Sequence, residues 1–133
     1  MTSFRIISGL QWAQRTSPHA GQAARPGSPK AAGLLLEQQI ADSLPPSAIR
    51  GQWFKFRDIH GVGYCQPDFI LHRDNSILVL ECKLTYHTYA FQQLHHLYIP
   101  VVSHVYQRPT TGILLTSKNW QQKLANILPD LST

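Results

Sequence analysis

Charge is scarce in this chain. Of its 133 residues only 14% are Asp, Glu, Lys or Arg, while 43% are hydrophobic. That balance excludes an acidic or disordered tail and a charged coiled coil. Cysteine is scarcer still. Cys65 and Cys82 form no CxxC and no metal-ligand cluster, and each sits in an apolar run where a free thiol acts as a small hydrophobe. A reduced, cytoplasmic protein is expected. No stretch approaches the roughly 18 apolar residues of a membrane span. Met1 to His19 holds scattered Arg and Gln and lacks the apolar stretch of a secretory signal. No internal repeat is visible.

What is present fits one domain, long enough to bury a modest core without disulfides or a structural metal. Twelve Lys and Arg stand against seven Asp and Glu, a net charge of +5. A basic surplus on so few charges suggests a polyanion partner, most simply nucleic acid, and no membrane.

The first thirty residues differ from the rest. Phe4 to Ile7 predicts a short strand, and Thr16 to Lys30 is rich in Pro, Gly, Ser and Ala. Residues 1–30 therefore read as a flexible basic arm, either a solvated leader or a tail along a phosphate backbone. A single domain is expected over 31–133. Leu35, Leu36, Ile40 and Leu44 recur at helical spacing in Ala31 to Leu44, until Pro45 and Pro46 stop the pattern. Gln52 to Asp58 reads as a strand whose Trp53, Phe54 and Phe56 belong to a core rather than to a base-stacking surface. Gly61 and Gly63 then read as a loop or tight turn.

Tyr64 to His72 and Ile77 to Thr85 are strand-like, and Arg73 to Ser76 supplies turn residues between them, so the pair predicts a hairpin. His87 to Tyr98 predicts a helix ended by Pro100. Val101 to Tyr106 reads as a strand, Gly112 to Thr116 as another. Ser117 caps a last helix running to Leu128, before Pro129. The fold class expected is α/β, in the order αβββαβ, with a mixed central sheet flanked by helices.

The hairpin carries the chemistry. Strand side chains alternate between two faces. Ile77, Val79, Glu81 and Lys83 share one face, while Leu78, Leu80, Cys82 and Leu84 share an apolar face that must be buried. Tyr64, Gln66, Asp68 and Ile70 likewise oppose Cys65, Phe69 and Leu71. Packing the apolar sides together brings Asp68 beside Glu81, with Lys83 next to them. Two close carboxylates repel unless a cation or a proton lies between them. A divalent ion such as Mg²⁺, with Mn²⁺ equally admissible, takes one or two carboxylates plus waters. The backbone carbonyl of Cys82 is a further oxygen within reach.

Pro67-Asp68 followed by Glu81-Cys82-Lys83 resembles the PD-(D/E)XK motif of the nuclease superfamily of that name. Twelve residues separate the two acids, as a hairpin demands. With two glutamates and five lysines in the chain, chance gives roughly 0.08 Glu-x-Lys triplets. Glu37 resembles the helical glutamate that many members place near the metal. Gln93, or its neighbour Gln92, resembles the glutamine of the RecB-like branch, although the tyrosine of that branch's QxxxY falls here at Tyr98, five residues on. The likeness spans Ala31 to Tyr106. It implies a restriction-endonuclease-like core and a Mg²⁺-dependent DNA nuclease, of the kind found among small phage and mobile-element endonucleases. In that reading Asp68, Glu81, the Cys82 carbonyl and Glu37 hold the metal. Lys83 activates the attacking water, and Gln93 orients the water or the lysine. Lys55, Arg57, Arg73, Arg108, Arg25 and Lys30 are candidates for phosphate contacts. Two cuts in a duplex would call for a homo-oligomer.

Other readings stand beside this one. Glu81 and Lys83 also suit a plain ion pair at a strand end, Asp68 a turn residue, and Glu37 and Gln93 the wet face of a helix. His87, His95 and His96 lack the spacing of a zinc site. The rivals at the level of function are a non-catalytic nucleic-acid-binding module on the same fold and an adaptor subunit of a phage or mobile-element complex.

Overall fold

The computed structural model describes residues 5–18 and 31–131. In chain order the elements are β1 (Trp12–Thr16), α1 (Ala31–Ser43), β2 (Ile49–Arg50), β3 (Trp53–Asp58), β4 (Gly61–Cys65), β5 (Phe69–His72) and β6 (Ile77–Cys82). They continue with α2 (Thr88–Gln93), a π-helical segment (Leu94–Tyr98), α3 (Ile99–Tyr106), β7 (Thr110–Leu115) and α4 (Trp120–Leu131). The class is α/β, as expected. Two sheets stand where one was expected: an antiparallel β1-β3-β4 and a mixed β2-β5-β6-β7.

The mixed sheet is the centre. β5 and β6 are antiparallel, with Ile70 opposite Val79 and Leu71 opposite Leu78, and β6 runs parallel to β7. Ile77 to Leu80 are all exposed by 1% or less. A strand covered on both faces reads as an unbroken apolar run, and this one is covered by helices on both. Ile70, Ile77 and Val79 pack against Ala90, Leu94, Leu97 and Val101 of the α2–α3 stretch. Phe69, Leu71, Leu78 and Leu80 pack against Leu36 and Ile40 of α1 and Leu124 of α4. The alternation read from the sequence therefore holds from Phe69 to Leu71 and from Ile77 to Leu80, but not at Cys65, which packs with Ile70 and Val79 instead of with Phe69 and Leu71. Each fully buried Leu or Ile in these clusters contributes about 1.5–3 kcal/mol.

The expected strand Tyr64 to His72 is divided. Its first half belongs to β4 in one sheet and its second half is β5 in the other. Pro67 between them has no N–H for a ladder and a fixed φ, so pairing stops there. The neighbouring strand bends at the same level, where Gly51 has φ +70°. The two bends are tied together: Gly51 N–H donates to the Asp68 carbonyl at 3.0 Å, and the Gln66 side chain donates to the Gly51 carbonyl at 3.0 Å. Gly61 and Gly63, expected in a loop, lie in β4, and the turn is Ile59 and His60.

Three other expectations are corrected. Val101 to Tyr106 is helix α3, not a strand. Pro100 does not stop the helix. It occupies the first turn of α3, where a missing N–H is least costly. Its missing donor leaves the His96 carbonyl free, and Ile7 N–H takes it at 3.3 Å. The last helix continues past Pro129 to Leu131, a proline in the final turn removing one bond without ending the coil. Ser117 does not cap it. Its hydroxyl donates to the Leu84 carbonyl at 2.8 Å, while Asn119 Oδ1 accepts from Thr116 N–H at 2.8 Å.

The arm is also shorter than read. Residues 5–8 form no strand, but Trp12–Thr16 pair with the whole of β3 from Arg57 to Trp53. Five cross-strand pairs outweigh the weak alternation of Trp-Ala-Gln-Arg-Thr. Residues 19–30, the rest of the expected arm, lie outside the described residues.

Candidate metal and phosphate site

The bend at Pro67 places Asp68 at the mouth of the hairpin, opposite the last residues of β6. Asp68 N–H donates to Glu81 Oε1 at 3.2 Å, and Cys82 N–H donates to Asp68 Oδ2 at 2.8 Å. The two carboxylates are thus brought together, as the alternation predicted, although Asp68 precedes its strand instead of lying within it. Glu81 is 3% exposed. Lys83 Nζ lies 3.9 Å from Glu81 Oε2 and is partly open to solvent. Lys83 N–H bonds the Leu115 carbonyl at 2.9 Å, so the lysine is anchored to β7 while its side chain stays free to move.

Burial sets the electrostatics. It pushes the Asp68 carboxyl up from 3.8 to about 6, against the Cys82 N–H that favours the charged form. It raises Glu81 well above the usual carboxylate range, and the Asp68 charge adds to this while Lys83 opposes it. Two such acids cannot both ionise alone; they share a proton or accept a cation. A hard divalent ion fits this donor set, since it needs one or two carboxylates and completes its shell with water. Among the described residues no group of three or more His, Cys, Asp or Glu is placed to hold a metal together. Burial also raises the thiols of Cys65 and Cys82, so neither is a thiolate ligand at neutral pH.

Glu37 approaches from α1, on the other face of the sheet. Its charge reaches Asp68 and raises it. Its Oε2 is held by Arg50, at 3.0 Å from Nε and 2.8 Å from Nη2. Arg50, which also lies 5.7 Å over the Phe69 ring, escaped the sequence reading; nothing in a lone Arg after a helix marks it.

Gln93 is half-buried and Gln92 exposed, so Gln93 is the one turned to the protein. The structure gives it no hydrogen bond to either carboxylate. The π-helical segment behind it alters the spacing, because Ile99 N–H bonds the Leu94 carbonyl, an i→i−5 step. Where the repeat is five, residues five apart align as residues four apart do in an α-helix. Tyr98 therefore lies above Gln93. Tyr98 is 7% exposed, and burial, then the charges of Glu81, Cys65 and Asp68, keep its phenol protonated. Its phenol is neutral and feels both acids, and only the unusual spacing hinted at it.

The expected phosphate contacts are dispersed. Lys55 and Arg57 share the outer face of β3, Lys55 with its Nζ 5.9 Å over the Tyr64 ring. Arg73 and Arg108 lie at the turn end of the hairpin, at least five strand positions from Glu81, or about 16 Å or more. Arg108 is spent on structure: its guanidinium donates to the Arg73 carbonyl at 2.8 Å and to the Asp74 carbonyl. Arg25 and Lys30 lie outside the described residues. Among the histidines, His87 caps α2, its Nδ1 accepting from Ala90 N–H at 3.2 Å. Phe54 and Phe56 are buried core residues, and Trp53 is half-buried.

Comparison with protein-family models, with curated proteins and with solved structures finds no match. Among the described residues no helix is long and apolar enough to cross a membrane.

Proposed function

We infer that this protein is a metal-dependent nuclease that hydrolyses phosphodiester bonds in DNA, on a restriction-endonuclease-like core of the PD-(D/E)XK kind. One observation carries the reading: two carboxylates from adjacent chain segments, the buried Glu81 and the half-buried Asp68, share one spot with Lys83 beside them. A structural ion pair needs one acid; a second acid beside it is a cost unless a cation is bound there. Asp68 and Glu81 hold the ion. Mg²⁺ or Mn²⁺, when bound, supplies charge neutralisation on the phosphate and a more acidic attacking water. Lys83 would orient the attacking water and place its charge on the phosphate, and its partial exposure lets it reach both. The net charge of +5 favours the approach of a polyanion.

The test is incubation of supercoiled, linear, branched and single-stranded DNA with Mg²⁺ and with chelator. Cleavage in Mg²⁺ alone is expected. Lys83→Ala should lower the rate at least about 100-fold and leave DNA binding within about twofold; full retained activity removes the lysine from the chemistry. A non-catalytic binding module on the same fold is favoured by one feature, the capture of Glu37 by Arg50, which leaves two acids in place of three. Binding with no cleavage of any of the four DNAs would establish it.

A further inference from the structure

Past Lys83 the chain leaves a row of rings in water. Tyr86 is 60% exposed and Phe91 43%. Their ring centroids are 6.3 Å apart, and that of His95 is 4.3 Å from Phe91. Large rings left grouped in solvent mark a contact surface. Their position follows from the chain. Tyr86 is three residues beyond Lys83, so the two Cα atoms are within about 11 Å. Phe91 lies on α2, whose first turn begins five residues after Lys83. Tyr89, between them, is close enough to act on Tyr98, which also feels Glu81 and Asp68. Tyr86 therefore starts close to Lys83, the residue beside Glu81.

The chain around them is short of acids. From Cys82 to Pro129 the sequence contains no Asp or Glu, and two of its cations lie at the site end of the sheet: Lys83 follows β6, and Lys118 follows Ser117, whose N–H bonds the Leu84 carbonyl at 3.2 Å. Those cations, with a net charge of +5, favour a polyanion with flat faces. Burial lowers the basicity of His95, so its ring is neutral at neutral pH and joins the row as an aromatic.

We propose that Tyr86, Phe91 and His95 form a platform on which unpaired bases of single-stranded DNA stack close to Lys83. Duplex bases are already stacked and show a protein only their edges and backbone, whereas every unpaired base has a free π face. The choice of DNA rests on the nuclease reading above and narrows it to a single strand, or the unpaired part of a branched one.

The test is fluorescence anisotropy of an oligo-dT of about 12 nucleotides, within the reach of one small fold, and of a duplex of equal length. Both are measured in chelator, so nothing is cut. The chain should bind oligo-dT more tightly than duplex. Tyr86→Ala and Phe91→Ala should each weaken oligo-dT about tenfold and change duplex binding less than twofold. Tyr86→Phe keeps the ring and should bind as the unaltered chain does. Both rings are exposed, so circular dichroism should show the fold intact. Unchanged oligo-dT affinity, equal losses on both ligands, or an effect confined to self-association in sedimentation would each overturn the platform. Cleavage is scored separately with Mg²⁺. Ring-dependent binding without cleavage of any DNA overturns the nuclease and leaves the platform; cleavage with ring-independent binding does the reverse.

Discussion

At the scale of residues, the molecule maintains two acids where one would be easier to hold. Asp68 titrates at about 6 in the fold against 3.8 in an open chain. Between those values the folded state keeps a proton that the unfolded state has released. Stability from this source is fully present below pH 4 and is lost as pH rises through 6, and Glu81, raised further, extends the loss upward. The metal-free protein should therefore melt lower at pH 8 than at pH 5. A divalent ion binds only the deprotonated pair, so Mg²⁺ should raise the melting temperature at pH 8 and leave it unchanged at pH 5. Each kcal/mol is worth about 4 °C for a domain of this size. Asp68→Asn should flatten both dependences. Thermal melts at the two pH values, with Mg²⁺ and with chelator, decide it; identical curves from the unaltered chain and Asp68→Asn would remove the shared site. Arg50 holds the third acid at 2.8 Å, although the Glu37 charge still adds to the rise at Asp68.

At the scale of elements, the decisive piece is the π-helical turn between α2 and α3. It carries the buried Tyr98, and it lies tight against β7. A Cβ added at Gly112 would stand 2.8 Å from Leu94 Cδ1, 3.0 Å from Leu94 Cγ and 2.8 Å from Ile99 Cδ1. Leu94 is fully buried and has nowhere to swing. Gly112→Ala, which strand propensity alone would favour, should instead cost about 1–3 kcal/mol. Urea unfolding measures it, and stability equal to the unaltered chain would mean that the turn is loosely packed. This stretch also shows where sequence reading stops. The hairpin from Phe69 to Cys82 was legible, because unbroken apolar alternation with a polar turn has one solution. So were α1 and the start of α2 at His87. Pro100 and the valines of Val101 to Val105 argue locally for a break and a strand. The pull of the helix face that buries Val101 and Val102 outweighs that preference, and the extra residue of the π turn hides the pairing of Gln93 with Tyr98. Pro67 was legible as part of a motif but not as a bend. Its effect depends on Gly51, sixteen residues away, bending at the same level.

At the scale of the whole molecule, the two sheets are joined by the bends at Gly51 and Pro67 and by a strap from the N-terminal side. Arg5 reaches the far end of the β3–β4 hairpin. Its Nε donates to Asp58 Oδ2 at 3.0 Å, a second nitrogen bonds the other Asp58 oxygen, and further bonds go to the carbonyls of Gly61 and Val62. The guanidinium also lies 5.2 Å over the Phe56 ring. Between this clamp and β1, Ile7 N–H takes the His96 carbonyl that Pro100 leaves open. One short segment thus fastens the three-stranded sheet to the helix that presents Tyr98 and the exposed rings. The clamp is worth most when judged by its loss. Asp58 is 2% exposed, so Arg5→Ala leaves a buried carboxylate without its cation, at about 3–5 kcal/mol. Replacing the acid as well, Arg5→Ala with Asp58→Asn, removes the stranded charge and should recover part of that loss in urea unfolding. A double variant no more stable than Arg5→Ala alone would mean that the strap acts through packing on Phe56 and not through charge.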